Sequence, residues 1–317
     1  MSMKIKHLFM AKKWEIAGSL LLLAVFVAPV LSLAGSETKI YVDDDASGTM
    51  DGSSSNPYDT IGKALSHADE NTEVHIRKGT YKENIEIPKG VEVYGSDEDD
   101  VTIKADDDND PVVKMNHKTK INKVTIRDGK YGITVGKDDR ASIIKCIIKK
   151  NDKDGIIIRP ADTNDKYIVN ISESEIKDNG RAGIYSEKRK LSLIENSIID
   201  NDSDGVDLEA GAEAWIKGNK IKNNNGSGLK LTLDKSEIWT KSNTYYGNDH
   251  EGLEVNAYGE AGRIDIRKSK FYKNDRYGIA KIQRGEFASS IWDGFTVQSD
   301  VIFWENKIGI ISNIIKL

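Results

Sequence analysis

Six times the chain places an Asn, three variable residues and a Gly before an aliphatic residue: Asn151–Gly155, Asn179–Gly183, Asn201–Gly205, Asn224–Gly228, Asn248–Gly252 and Asn274–Gly278. Asp128–Gly132 is an earlier copy with Asp in the Asn position, and Glu305–Gly309 is a degraded later one. Successive glycines stand 23, 28, 22, 23, 24, 26 and 31 residues apart. No other feature constrains the fold as much. A unit of twenty-odd residues cannot bury an apolar face alone, so it has to stack on copies of itself, and the product is a solenoid.

Aligning the copies on the Asn shows what each unit contains. Ten positions before it stand Ala141, Val169, Leu191, Ala214, Ile238 and Ile264, and eight before it Ile143, Ile171, Leu193, Ile216, Thr240 and Ile266. Three before it stand Ile148, Ile176, Ile198, Ile221, Tyr245 and Phe271; the Gly is followed by Ile156, Ile184, Val206, Leu229, Leu253 and Ile279. Apolar residues two apart form one face of a strand. Each unit is therefore predicted to hold three short strands that turn aliphatic side chains to a shared interior, with no helix. Three strands per turn, parallel from coil to coil, make an all-β, single-stranded right-handed parallel β-helix. The position five before the Asn reads Cys146, Ser174, Asn196, Asn219, Asn243, Ser269. This polar column, and the repeated Asn151, Asn179, Asn201, Asn224, Asn248 and Asn274, are expected to form ladders of inward amides at the turns. The Gly fits a position with positive φ or with no room for a Cβ.

The 317 residues are 38% hydrophobic and 31% charged, which one solenoid can absorb without a second domain. Net charge is -5 with both signs mixed. There is no dense Lys/Arg block outside the N-terminus, so no nucleic-acid partner is expected. The single Cys146 excludes an intramolecular disulfide framework and is expected to be buried. Residues 1–34 differ from the rest. Lys4, Lys6, Lys12 and Lys13 precede an apolar run from Ile16 to Leu33, followed by small residues up to Ser36. That order is that of a secretory signal peptide cut after Ala34, and the run is also long enough for a membrane anchor. Either reading puts residues 35–317 outside the cytoplasm, with any membrane contact confined to the N-terminal segment.

Residues 37–60 read as polar and turn-rich. Ile61, Ala64, Leu65 and Ala68 then share one helical face, with Asp59 or Thr60 as N-cap. A short helix there would cap the open N-terminal end of the solenoid, whose regular coils are expected from about Pro111.

The stretch IYVDDDASG…NPYDTIGKALSHA…EVHIRKGTYKENIEIPKGVEVYG resembles the opening of pectin-lyase-like β-helix proteins, and the N-x3-G units resemble their parallel β-helix repeat. The resemblance runs from about Ile40 to the C-terminus. It implies the fold, and an activity drawn from lyases, hydrolases, esterases, epimerases or inert adhesins. Asn201-Asp-Ser-Asp204-Gly205 is similar to the NTDG motif of polygalacturonases, which would make Asp204, or Asp154 in its own copy, a general acid. The tandem Asp pair and the Gly-His-Gly that accompany that motif are missing, as are the Gln strand and GRPW element of pectin methylesterases. Asp204 is therefore expected to be a turn residue, replaceable without cost to the fold.

A filled interior leaves function to the outward columns. On the strand after the Gly, one column reads Tyr185, Asp207, Lys230, Glu254 and the next Glu187, Glu209, Thr232, Asn256. Asp207 and Glu209 fall near the carboxylate separation of an inverting glycosidase, so Asp207, Glu209, Glu254 and Lys230 are the candidate catalytic residues. On the first strand of each coil, Trp215 and Trp239 face outward beside Lys217, Lys241 and Arg267. Aromatic faces suit a sugar ring and cations suit its carboxylates or sulfates, so these five residues are the candidate ligand-binding surface. Asp43–Asp45 and Asp106–Asp110 offer oxygen ligands of the kind Ca²⁺ takes, but without EF-hand spacing; no metal or other cofactor is expected. The sequence thus points to a secreted or cell-surface β-helix that binds a polysaccharide, acidic if the cations read it. The alternative is a polysaccharide lyase or glycoside hydrolase acting on an acidic glycan.

Overall fold

From Thr72 onward every coil lays down three strands, and each strand joins a different sheet. The computed structural model describes residues 38–162 and 167–317; the candidate signal peptide or anchor at residues 1–34 lies outside the described residues. The first sheet has eleven strands from Thr38–Val42 to Phe295–Val297, the second ten from Gly79–Lys82 to Ile302–Trp304, and the third ten from Ile85–Ile87 to Gly309–Lys316. All strand pairs are parallel, and neighbours in a sheet belong to successive coils. The chain is an all-β, three-sheet parallel solenoid. No helix among the described residues is long and apolar enough to cross a membrane.

The register follows the repeat. Ala141, Val169, Leu191, Ala214, Ile238 and Ile264 pair in succession across the first sheet. Ile156, Ile184, Val206, Leu229, Leu253 and Ile279 do so across the third. These residues belong to one continuous core and are essentially inaccessible to water; removing each Val, Leu or Ile side chain from water stabilises the fold by about 1.5–3 kcal/mol. The stacking begins earlier than the repeat alone indicates. Thr38–Val42, in the stretch read as polar and turn-rich, is the first strand of the first sheet and pairs with Thr72–Ile76.

Both amide ladders form. Each Asn side chain in the series Asn151 to Asn274 donates from Nδ2 to the Oδ1 of the next, at 2.8–3.0 Å, with Asn306 as the last acceptor. The same Oδ1 also accepts the backbone N–H of the Asn before it. The second ladder runs through Asn196, Asn219 and Asn243 in the same way, and Ser174 joins it through its backbone N–H, which donates to Asn196 Oδ1. Sharp turns accompany both ladders. The residue before each Asn is left-handed, as at Asp200 (φ 55°) and Asn223 (φ 54°), and so is the residue before the second ladder, as at Glu195 (φ 58°). The repeated Gly is needed for space. A Cβ at Gly205 would lie 2.7 Å from the carbonyl oxygen of Gly228 and 2.8 Å from Asn224 Nδ2, so a side chain there would separate two coils.

The helix Ile61–Ser66 buries Ile61, Ala64 and Leu65. Thr60 Oγ1 accepts from Lys63 N–H, and the Glu83 carboxylate accepts from Ile61 and Gly62 N–H at 2.8 and 2.7 Å. The first-turn donors thus have partners. Arg189 is fully buried. Its guanidinium donates to the carbonyls of Gly136, Asp139, Arg159 and Tyr167, which belong to the turns of earlier coils.

Candidate functional site

The in-register stacking of the third sheet sets Tyr185, Asp207, Lys230 and Glu254 side by side on its outer face. Thr232 pairs with Asn256 two residues further along. Both columns are those expected from the sequence, but they are not solvated strand faces: Asp207 and Glu254 are each only 8% exposed. Lys230 organises the centre. Its ammonium lies 3.0 Å from Asp207 Oδ2, 3.7 Å from Glu209 Oε1 and 3.9 Å from Asp204 Oδ2. Thr232 Oγ1 donates to the other oxygen of Glu209 at 3.1 Å. Asp207 Oδ1 is buried without a hydrogen-bond partner among the described residues.

Burial raises the carboxyl groups here. Asp207 is pushed up to about 6 by desolvation, which outweighs the opposing ammonium of Lys230. Asp204 and Glu251 are raised too, chiefly by burial, and for Glu251 the neighbouring Glu254 adds to the shift. Burial alone would lower Lys230, but the carboxylates of Asp207, Asp204 and Glu209 more than reverse this, so the ammonium stays charged. Asp204 is a turn residue as expected, and its carboxylate is engaged. It is 8% exposed, and its Oδ1 accepts the Ser227 N–H of the next coil at 2.7 Å.

Glu254 turns away from Lys230. Its Oε2 accepts from Ser227 Oγ at 3.0 Å and its Oε1 from Asn256 Nδ2 at 2.8 Å. Asn256 Oδ1 in turn accepts from Arg284 Nε at 2.9 Å. Outside this buried chain lies a groove lined by Tyr185, Glu187, Glu209, Ala210, Lys230, Thr232, Asn256, Tyr258 and Arg284. Tyr258 is 58% exposed. Tyr258 and Arg284 were not singled out from the sequence. They follow strands instead of sitting within them, so strand alternation does not place them.

Two acidic groupings among the described residues bring potential cation ligands together: His250, Glu251 and Glu254, and Asp43, Asp44 and Asp45. The first escaped the sequence reading because it joins a turn to a strand. In the second, Asp43 pairs with Arg77 and Asp44 accepts from Thr80 N–H. In the Asp106–Asp110 loop, Asp106 pairs with Lys82 and Asp107 accepts from Asn109 N–H.

The first sheet carries Trp215 and Trp239 in register, beside Lys217, Lys241 and Arg267, also in register. The two rings stack on each other, with centroids 5.2 Å apart and planes at 10°, and the Lys190 ammonium lies 5.7 Å from the Trp215 ring centre. The facing sides of the rings are thus covered. Lys217 and Lys241 are exposed. Arg267 is tied to Asp265 through Nε at 3.0 Å, which accounts for the Asp265 carboxyl being held below its ordinary range.

Residues 162–302 match the family described as "Right handed beta helix region". No curated protein sequence matches the chain. Among solved structures the chain is similar to pectate lyase Pel9A, at 12% identity and a TM-score of 0.54 over 87% of this chain and 78% of that one. It is also similar to the Dettilon tailspike protein, at 14% identity and a TM-score of 0.58 over 88% of this chain but only 62% of the tailspike. A third similar structure is the A-module of the mannuronan C-5 epimerase AlgE4 from Azotobacter vinelandii, at 12% identity and a TM-score of 0.50 over 87% and 97%. Identities this low speak for the fold alone, and together with the stacked three-strand coils they show that this chain folds as a right-handed parallel β-helix similar to those of these proteins.

Proposed function

We propose that this chain is an exported polysaccharide-binding protein and that the groove on its third sheet holds the glycan. The observation that carries this reading is the groove itself. It sets the exposed ring of Tyr258 beside polar groups that buried partners already aim, which is how sugar sites combine an apolar surface with fixed hydrogen bonds. The similar structures include proteins whose names give a pectate lyase and a mannuronan epimerase, which agrees with a polysaccharide ligand. Export rests on the basic, apolar, small-residue order of residues 1–34. In the same reading the helix Ile61–Ser66 covers the N-terminal end of the solenoid.

Binding is favoured over cleavage by where the acids lie. Asp207, a carboxyl raised to about 6, is buried beside Lys230 and does not line the groove; Glu209, which does, is engaged by Thr232 and Lys230. The charged Lys230 is a poor general base. Cleavage is the second reading, supported by a raised carboxyl next to a second one, the pairing glycosidases use. The Trp215/Trp239 strip with Lys217, Lys241 and Arg267 is a second candidate surface for the same ligand, supported by its two exposed lysines.

The test is a glycan array with product detection, followed by titration of the best ligand into wild type, Tyr258→Ala and Trp239→Ala. The groove reading expects Tyr258→Ala to weaken binding about tenfold or more, since one lost aromatic contact is worth on the order of 1–2 kcal/mol, with no product formed. Loss in Trp239→Ala alone would move the site to the first sheet. Product that disappears in Asp207→Asn would establish the enzyme instead.

A further inference from the structure

We infer that Arg284 is the anion-reading residue of the groove and that it selects glycans bearing a carboxylate or sulfate; this rests on the groove being the glycan site. The inference comes from how the guanidinium is held. Arg77, Arg127, Arg181, Arg267 and Arg276 each lie against a carboxylate. Arg284 is held by an amide instead, through Nε to Asn256 Oδ1 at 2.9 Å. An amide fixes direction without neutralising charge.

The orientation of that amide is itself determined. Asn256 is 3% exposed, and its Nδ2 donates to Glu254 Oε1 at 2.8 Å. A carboxylate accepts only, so the Asn256 oxygen has to face Arg284. Glu254 is fixed from the other side by the fully buried Ser227. The chain Ser227–Glu254–Asn256 therefore aims an exposed guanidinium by its Nε alone. Its two terminal nitrogens have no carboxylate partner among the described residues. They form the planar fork that takes two oxygens of an oxyanion in parallel. Glu209, which also lines the groove, is turned toward Thr232 and Lys230. Tyr258, which lines the same groove, is placed to stack on the sugar that carries the anion.

The test measures binding of three oligosaccharides of equal length at one fixed ionic strength: a uronate, its carboxyl-reduced neutral counterpart, and a sulfated chain. Wild type, Arg284→Gln and Arg284→Lys are compared; Arg284 is exposed, so none of the changes threatens the core. At least one anionic chain should bind wild type about tenfold or more tighter than the neutral one, as a charge-assisted pair of bonds allows, and whichever chain does so identifies the anion. Arg284→Gln should abolish this preference while neutral binding persists. Arg284→Lys should retain only part of it, because a point charge lacks the fork. Equal binding of neutral and anionic chains by wild type, or an undiminished preference in Arg284→Gln, overturns the inference and leaves the groove standing. Failure of wild type to bind any of the three overturns both.

Discussion

Asn224 shows what one residue of the ladder does. Its Oδ1 accepts from both the side chain and the backbone N–H of Asn201, at 2.9 and 3.1 Å. Its Nδ2 donates to Asn248 Oδ1 and to the Ile198 carbonyl, at 3.0 and 3.3 Å. All of this happens without water, since Asn224 is fully buried. Replacement by Ala takes the acceptor from both the backbone N–H and the side-chain amide of Asn201, so Asn224→Ala should destabilise by roughly 1–3 kcal/mol, read from urea unfolding at unchanged m-value. Asp204→Ala should also destabilise, by about 1–2 kcal/mol, because it removes the acceptor of the buried Ser227 N–H. An unchanged midpoint for Asp204→Ala would restore the view of that position as a spare turn residue. The ladder was legible because both its period and its residue type recur. Asp204 was not, because the same position holds Ala182, Ser227 and Tyr277 in other coils, and no column announces a role taken by only some of its members.

Strands and turns were unequally legible, and the reason is physical. A strand inside the repeat shows itself by two inward aliphatics and by alignment with its copies, so the register of all three sheets could be read from one alignment. Thr38–Val42 has the alternation, with Ile40 and Val42 inward, but no copy at the repeat spacing, because the helix Ile61–Ser66 intervenes before its partner strand. The acid columns of the site were likewise fixed by register. Their burial was not, because turn and strand-end residues such as Glu251, Tyr258 and Arg284 help build this region, and periodicity does not specify where they point. Arg189 makes the same point among the turns: one guanidinium binds carbonyls from the turns at Gly136, Arg159 and Tyr167. Burial lowers its affinity for the proton, and the nearby Asp139 and Asp138 oppose this. Arg189→Met keeps bulk but removes the guanidinium donor from those carbonyls. It should cost about 3 kcal/mol or more, since each bond to a charged donor is worth roughly 1.5–3 kcal/mol. Hydrogen exchange should then rise in the amides around residues 136–140 before those of the strands. Exchange confined to the chain ends would show that the stacked turns hold without the arginine.

Across the whole molecule, 51 acidic residues face 46 basic ones, and the acids divide by environment into two groups with opposite pH behaviour. Asp43 and Asp265, hydrogen-bonded to Arg77 and Arg267, are held below the ordinary carboxylate range; they stabilise the fold above that range and lose the contribution as pH falls through it. Asp154, Asp204, Asp207 and Glu251 are raised by burial. A group with a raised folded pKa binds more protons folded than unfolded between its two values, so stability falls as pH rises across that window. For Asp207 the window runs from the ordinary 3.8 to about 6. Stability should therefore be greatest near pH 4–5 and decline toward neutrality, with acid unfolding below pH 4. Asp207→Asn keeps the shape and removes the titration, while Asp204 and Glu209 still flank the Lys230 ammonium. The variant should match wild type near pH 4 and exceed it at pH 7 by roughly 1–3 kcal/mol, at about 1.4 kcal/mol per pKa unit. Urea unfolding of both proteins from pH 3 to 8 measures this directly. Parallel profiles between pH 4 and 7 would mean that Asp207 ionises in the folded state as readily as in the unfolded chain. The ammonium of Lys230 would then fully offset the desolvation of the carboxylate beside it.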